Sequence, residues 1–466
     1  MKIKNIHKLV STGDIASRRI VLEIIETSIQ SLDTYNLIRR CLSFDDNILR
    51  IGDCQWNLNL KHRLFVLGAG KAGNSMAKAI EDTLGDRISK GLVIVKQIEP
   101  DDKLKQIELV VGGHPLPNEK GLMASRRILN IVEQATSDDL FISVISGGSS
   151  ALMSCPVSGI TLEDEIRVTE ELLNSGARIL EVNAVRRHIS AITGGRLAQK
   201  VESKGAEMIN LIVSDVVGDK TTTDPTQRIQ FYGTPVAPDT TTLQDARKAL
   251  EKYGLRSRVP SSIIEYLKTD DAARETPKYF SNRIHHFVLQ RTADACEAAK
   301  QAAEKMEFPV YVLTTLLEGE SWQAGTFLAC VAKEVALSHR PFTPPCLMIT
   351  GGETTTKIDG PSGLGGPSQE LALGFALEIA KWDGLSIAAI DTDGTDGPTG
   401  QAGGISDGTT VDRAWRKGCD VYEYLKAHNS SNVLKAIGDE IITGSTGTNL
   451  CDLNVVYVSE RAKRVS

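Results

Sequence analysis

The strongest constraint in this chain is a rhythm of apolar runs and glycine clusters. Short, largely apolar runs recur at residues 64–67, 92–95, 107–111 (interrupted by Glu108), 141–145 and 209–213. Helical-period stretches such as 72–84, 120–134 and 162–173 fill the intervals, the last opening with Thr161 as an N-cap and Asp164 three residues on. Most of these runs lack the polar alternation of a strand with one wet face, so they predict strands buried on both sides. Strands of that kind alternating with helices give an α/β chain with a parallel, doubly wound, Rossmann-like sheet. After Asp215 the pattern lapses into GDKTTTDPTQRIQFYGTPVAPDTTT, followed by polar helices around 243–253 and 261–267. The lapse sets an expected domain boundary near Thr240. A second α/β series then runs through 287–290, 310–313, 347–350, 387–390 and 455–458, with helices over 293–305 and 369–382. A length of 466 residues agrees, being about three times a usual domain of roughly 150 residues. The expected domains are 1–240 and 241–466.

Composition removes several function classes. The 53 basic and 59 acidic residues give a net charge of −6 and are spread along the chain, so nucleic acid is not an expected partner. No window approaches the roughly 18 consecutive apolar residues of a membrane helix, and the start, MKIKNIHKLVSTGDIASRR, lacks the apolar core of a secretory signal. A basic first helix is the expected reading of that start. The 8 cysteines never fall in C-x-x-C spacing, and none has a histidine three to five residues away. Reduced thiols, no zinc site and a cytoplasmic setting are therefore expected.

The chemistry gathers where glycines follow strands, because the carboxyl ends of strands are where α/β proteins bind ligands. In VLGAGKAGNSMAKA, Gly68, Gly70 and Gly73 fit G-x-G-x-x-G between a strand and a helix, a pattern that turns backbone N–H groups towards an anion. A dinucleotide would also want an acid about 20 residues on, and the second strand ends instead at Lys96. Lys71 inside the turn favours phosphate chemistry; glycines that only permit close packing, with Lys71 solvated, remain the alternative. In SVISGGSSALM, Gly147, Gly148, Ser149 and Ser150 form a second candidate phosphate cradle. It is not a serine nucleophile elbow, since Ala151 stands two residues after Ser149.

In VNAVRRHISAITGGRLA, Asn183, Arg186 and Arg187 are candidate substrate contacts, although the adjacent arginines cannot share one helix face. One could serve as an anion clamp, or both could be solvated. NLIVSDVVGD places Asp215 just past a strand and Asp219 four residues on, which suits a Mg²⁺ carboxylate or a base for a substrate hydroxyl. Farther along stand Glu353, after Gly351 and Gly352, and Asp391, Asp393 and Asp396. Counted from Asp391, a calcium loop fails at its sixth and twelfth positions, occupied by Asp396 and Ala402. Turn and cap duty or contact with substrate hydroxyls remains for these acids, with Glu353 and Asp393 the candidates for the latter. TGSTGTNLCDL, before the last strand, is one more loop suited to polar ligand contact.

The stretches GAGKAG, GGHPLPNEKG, ISGGSSALM, VNAVRRHIS with GGRLA, SDVVGD, GGETT, DTDGTDGPT and TGSTGTNLCDL, taken in order, resemble the glycerate 2-kinase family over nearly the whole chain. The resemblance implies a Rossmann-like kinase domain, a MOFRL domain over about 342–458, and ATP- and Mg²⁺-dependent phosphorylation of the 2-hydroxyl of glycerate or a related acid in a cleft between them. Lys71 resembles the family's catalytic lysine, and Asp215 the acid of its S-D-V-x-G-D segment. A homodimer is compatible with this reading. Two alternatives stay open: an NAD(P)-dependent hydroxypyruvate reductase, a name members have carried, and a non-catalytic sugar-phosphate-binding protein. The chain also departs from the family. Where the pattern reads G-R-G-G-R-N-Q-E, this sequence has Gly363-Leu364-Gly365-Gly366-Pro367-Ser368-Gln369-Glu370; Thr193 replaces a lysine, and S-G-P-T is displaced into Tyr232-Gly233-Thr234-Pro235. Arginine is the residue suited to bidentate carboxylate binding. Its loss leads us to expect D-glycerate to be used less well than a four- to six-carbon hydroxy acid, with Arg186, Arg187 and Arg196 as replacement cations.

Overall fold

The computed structural model describes residues 1–98, 103–218, 235–269, 271–358 and 360–465. The chain forms two compact units, one of Thr34–Gln290 and one of Met1–Asp33 with Arg291–Ser466.

Thr34–Gln290 carries a short antiparallel meander, β1 (Leu42–Asp45), β2 (Ile48–Ile51) and β3 (Cys54–Asn57). Asp46 and Asn47 join the first two strands, both with positive φ (48° and 57°), the backbone of a two-residue hairpin turn. These four-residue strands are too short and mixed to register in the sequence pattern. The main sheet follows with β4 (Leu64–Ala69), β5 (Lys90–Val95), β6 (Ile107–Val111), β7 (Leu140–Ile145), β8 (Glu207–Val213) and β9 (Ile284–Gln290). Its order is β6-β5-β4-β7-β8-β9 with every pair parallel, which is the doubly wound arrangement expected. β4 and β7 are buried throughout, and the helices Glu119–Glu133 and Arg196–Ser203 pack Ile128 and Leu197 into one core beneath the sheet. Thr161 and Asp164 form a reciprocal capping box on the helix Leu162–Asn174, as their spacing predicts.

The boundary expected near Thr240 is displaced. Strand 287–290, assigned to the second series by sequence, begins at Ile284 and pairs with β8, so the first unit closes at Gln290. The polar helices Leu243–Lys252 and Ser261–Lys268 belong to the crossover from β8 to β9. They pack Leu250, Ile263 and Leu267 against Val168, Leu172, Val182 and Val185 in a separate helical core. Only one stripe of each is apolar, which is why the sequence reads them as polar helices beyond the expected boundary.

In the other unit, β10 (Val310–Leu317), β11 (Cys346–Gly352), β12 (Trp382–Asp391), β13 (Gly403–Asp407), β14 (Glu440–Ile441) and β15 (Asp452–Arg464) form a sheet of order β10-β11-β15-β12-β13-β14. Only β10 and β11 pair in parallel; β15 enters the middle antiparallel to both neighbours, so this α/β sheet is mixed. β12 begins at Trp382, and the helix expected to reach that residue ends at Glu378. The helix Ile15–Ser31 covers one face through Val21, Leu22, Ile25 and Ile29. Its Arg18, fully buried, donates to Asp439 at 2.7 and 2.8 Å and also bonds Asp407, which ties the first residues of the chain to the last third. Among the described residues no helix is long and apolar enough to cross a membrane.

Candidate functional site

The winding of the parallel sheet reverses between β4 and β7, and ligands of doubly wound sheets bind at that crevice. The two glycine-rich turns that leave these strands are stitched together. Lys71 N donates to Gly147 O at 2.9 Å, Ser146 N to Ala69 O at 3.2 Å and Ala72 N to Ser146 Oγ at 3.0 Å. Each glycine has its own reason. A Cβ on Gly70 (φ +150°) would fall 2.0 Å from Ser146 Oγ, and one on Gly148 (φ +82°) 2.8 Å from Cδ2 of His114 and 3.4 Å from Cγ of Lys71. Gly68 and Gly73 serve packing, for a Cβ there would stand 2.1 Å from Val144 O and 3.0 Å from Val95 Cγ1. The packing alternative thus accounts for two of the glycines, while Gly70 and Gly148 shape the turns themselves. Lys71 and Ser150 are half-buried, Ser149 is buried, and the helix Gly73–Leu84 starts at the first turn. Backbone N–H groups, two hydroxyls and an ammonium beside a helix N-terminus are the groups with which a protein can bind an anion.

His114 was not among the residues singled out by sequence. It follows β6 and the pair Gly112-Gly113, so the rule that glycines after strands mark ligand edges would have found it.

Asp215 is half-buried just beyond β8, beside Ser214, whose N donates to Gln290 O at 2.9 Å. Because β4, β7 and β8 are parallel, Lys71, the 147–150 turn and Asp215 all leave the same edge of the sheet. Asp219 lies outside the described residues, as do Tyr232, Gly233 and Thr234. Among the described residues no group of three or more His, Cys, Asp or Glu side chains is arranged to hold a metal ion.

Asn183, Arg186 and Arg187 sit within one turn of the helix Ile179–His188, and the two arginines differ. Arg187, 3% exposed, donates from Nη1 to Asp239 at 2.7 Å, so its charge is already matched; to clamp a substrate it would have to exchange that partner. Arg186 is half-buried. Burial pulls its guanidinium below its ordinary value, the Glu165 charge offsetting part of this and Arg187 adding to it; because Arg187 is held by Asp239, Arg186 is the better anion-binding candidate of the pair. Arg196 donates from Nη2 to Arg274 O at 2.7 Å.

Glu353 and Asp393 belong to the other unit. Glu353 follows β11 and is exposed, with Cys451 Sγ 4.0 Å from its Oε2. Residues 352 and 391 both pair with Asp452, so Glu353, the 391–396 turn and Asp452 occupy one sheet edge. Asp393 accepts from Thr395 N at 2.6 Å. Asp396 caps the helix Pro367–Glu378, accepting from Ser368 N at 3.0 Å and Gln369 N at 2.9 Å. Asp452 accepts from Thr354 N at 3.0 Å and Oγ1 at 3.1 Å. Burial pushes Asp396 up to about 7, with Asp393 adding, and Asp452 up to about 8, with Asp396 and Glu353 adding. The capping duty left open for these acids therefore falls to Asp396, and Asp452 is a buried acid that the sequence did not single out. Pro367 is the first residue of the capped helix, where its missing N–H costs nothing. Leu364 is held by its N–H to Asn429 Oδ1 at 3.2 Å.

With this geometry in place, comparison with known proteins gives two family matches. Residues 20–268 match a family described as a domain of unknown function (DUF4147), and residues 346–452 match the MOFRL family. A glycerate 2-kinase of Pyrococcus horikoshii is 38% identical over 450 residues, 96% of this chain and 98% of that protein. A protein of Agrobacterium vitis named putative hydroxypyruvate reductase is 34% identical over 399 residues, 85% of this chain and 87% of that one. The crystal structure of glycerate kinase from Thermotoga maritima superposes with a TM-score of 0.76 at 35% identity, covering 94% of this chain and 99% of the other.

Proposed function

The chain belongs to the glycerate 2-kinase family, and from that membership we propose that it transfers the γ-phosphoryl group of ATP to the 2-hydroxyl of glycerate or a closely related small sugar acid. The observation that carries this reading is the pair of stitched turns at the β4/β7 switch point, with Lys71 in one and Gly147, Gly148, Ser149 and Ser150 in the other. In the proposed reaction the acceptor oxygen bonds to the γ-phosphorus as the bond to the β,γ-bridging oxygen breaks, releasing ADP. The Gly147–Ser150 turn would hold phosphate oxygens. Lys71 would stabilise charge gathering on the transferred group. Asp215 would orient the 2-hydroxyl and take its proton. Asn183 and Arg186 are the proposed contacts to the acid.

Mg²⁺ belongs to the same proposal. This ion usually takes one or two carboxylates and fills its remaining positions with phosphate oxygens and water, so Asp215 is a fitting protein ligand even though no cluster of three stands nearby. When bound, Mg²⁺ would offset charge on the ATP oxygens. We place the protein in the cytoplasm, a compartment suited to its eight free cysteines.

The reductase alternative would need a ribose-binding acid at the end of β5, where the chain carries Lys96. The deciding experiment is incubation with Mg-ATP and D-glycerate, followed by ³¹P NMR. Appearance of 2-phosphoglycerate supports the kinase; hydroxypyruvate-dependent oxidation of NADPH with no phosphoryl transfer would replace it with the reductase.

A further inference from the structure

We propose that His114 is a further catalytic residue, its imidazole contacting the phosphoryl group held at the β4/β7 switch point from the side opposite the Gly147–Ser150 backbone. The inference rests on the kinase reading and extends it to a residue outside the Lys71 and Asp215 pair. Its basis is the space above Gly148. A Cβ there would lie 2.8 Å from His114 Cδ2, 3.1 Å from His114 Nε2 and 3.4 Å from Lys71 Cγ. The imidazole edge bearing Nε2 and the stem of Lys71 therefore both lean over the α-carbon that opens the Ser149–Leu152 turn. A phosphate oxygen cradled by that turn would meet an N–H from each.

The segment carrying the ring is rigid, as a preorganised site requires. Gly112 N donates to Val95 O at 2.9 Å, and Asn118 caps the helix Glu119–Glu133 by accepting from Gly121 N at 2.9 Å. Between those anchors the turn is so tight that a Cβ on Gly113 would sit 2.4 Å from Leu116 O. Gly112 and Gly121 also let Leu152 approach, since a Cβ on either would come within 3.2 Å of Leu152 O. The histidine segment and the phosphate turn are thus packed as one body. Their spacing is fixed before any ligand arrives. His114 itself is half-buried within that segment.

Two measurements test this. In kinetics, His114→Ala should lower kcat about 10² to 10³-fold, the usual cost of one donor to transition-state charge, with ATP affinity changed less than about 3-fold. Binding of ADP with aluminium fluoride should weaken along with kcat, and His114→Gln should recover part of both. In ¹⁵N-histidine NMR of the intact chain, tripolyphosphate should move the His114 Nε2 resonance. The proposal is overturned if His114→Ala keeps kcat within about 3-fold, or if Ala and Gln variants lose ATP binding and kcat to the same extent, as a mere brace would. An unmoved Nε2 resonance at saturating tripolyphosphate overturns it as well. A wild-type chain that transfers no phosphate to any acid would defeat the kinase reading, and the NMR arm would still decide the histidine contact by itself.

Discussion

Lys71 and His114 stand over glycine turns at the carboxyl edge of the parallel sheet, whereas the corresponding edge of the mixed sheet carries Glu353, Asp391, Asp393, Asp396 and Asp452. Both units end strands in glycines, yet the side chains beside them differ in kind and in work. On the parallel sheet the lysine and the histidine lie beside the Gly147–Ser150 turn. On the mixed sheet Asp396 and Asp452 turn inward, one capping a helix and the other tying the backbone of Thr354. Glycine turns thus say where a ligand edge lies. The side chains beside them, and whether those already have backbone partners, say what the edge can take.

The largest expected break in the comparison is Lys71→Met, which should lower turnover by roughly two or more powers of ten by removing the cation at the developing phosphoryl charge. Lys78→Met is the control. Lys78 pairs with exposed Asp82 at 2.8 Å on the helix surface, and its loss should change kcat less than about 2-fold in the same assay. Next in size, Asp215→Asn should cut kcat by about 10² while ATP affinity shifts little, a split that steady-state kinetics resolves. Recovery of kcat at high Mg²⁺ would reassign Asp215 from proton acceptor to metal ligand.

A smaller effect concerns the substrate. One charge-assisted hydrogen bond to a carboxylate is worth about 1.5–3 kcal/mol, or roughly 10- to 150-fold in affinity. With Leu364 and Pro367 in place of arginines, kcat/KM should be higher for erythronate, threonate or gluconate than for D-glycerate. Leu364→Arg should narrow the gap. Glycerate ranking first by about tenfold would show that Arg186 or another cation already replaces the missing pair.

The mildest expected effects are in stability, where the two units answer acid in opposite directions. Asp396 and Asp452, held up to about 7 and about 8 by burial, lie above the ordinary carboxyl value of roughly 3.9. A carboxyl raised on folding favours the folded chain while protonated and disfavours it as pH climbs from the unfolded value to the folded one. The thermal midpoint should therefore rise on going from pH 8 to pH 5, and Asp452→Asn should flatten that slope. Glu207 is the reverse case. Hydrogen bonds from His285, Lys61 and Trp56 hold it down to about 2, so its contribution is complete above pH ~5 and is lost as pH falls towards 2. Glu207→Gln should remove that acid-side loss, measurable by fluorescence of Trp56 as the pin between β3 and β8 releases.

Sequence by itself determined the parallel sheet, its first five strands and their glycine-rich ends, because apolar periodicity and turn chemistry are local properties that each segment carries regardless of its neighbours. It also supplied Lys71, the 147–150 turn and Asp215 as candidates, each being the polar residue next to a strand end. Tertiary structure decided everything that depends on pairing between distant segments. It moved strand 284–290 into the first sheet and brought Asp452 and β15 to the middle of the second. It seated the helix Ile15–Ser31 on the last third of the chain through Arg18, turned Arg187 inward to Asp239, and set His114 over Gly148 from a strand two positions from β4. None of these is written in a local pattern, since strand order, buried ion pairs and close approaches are fixed by which surfaces can exclude water together and which charges find a partner once they do.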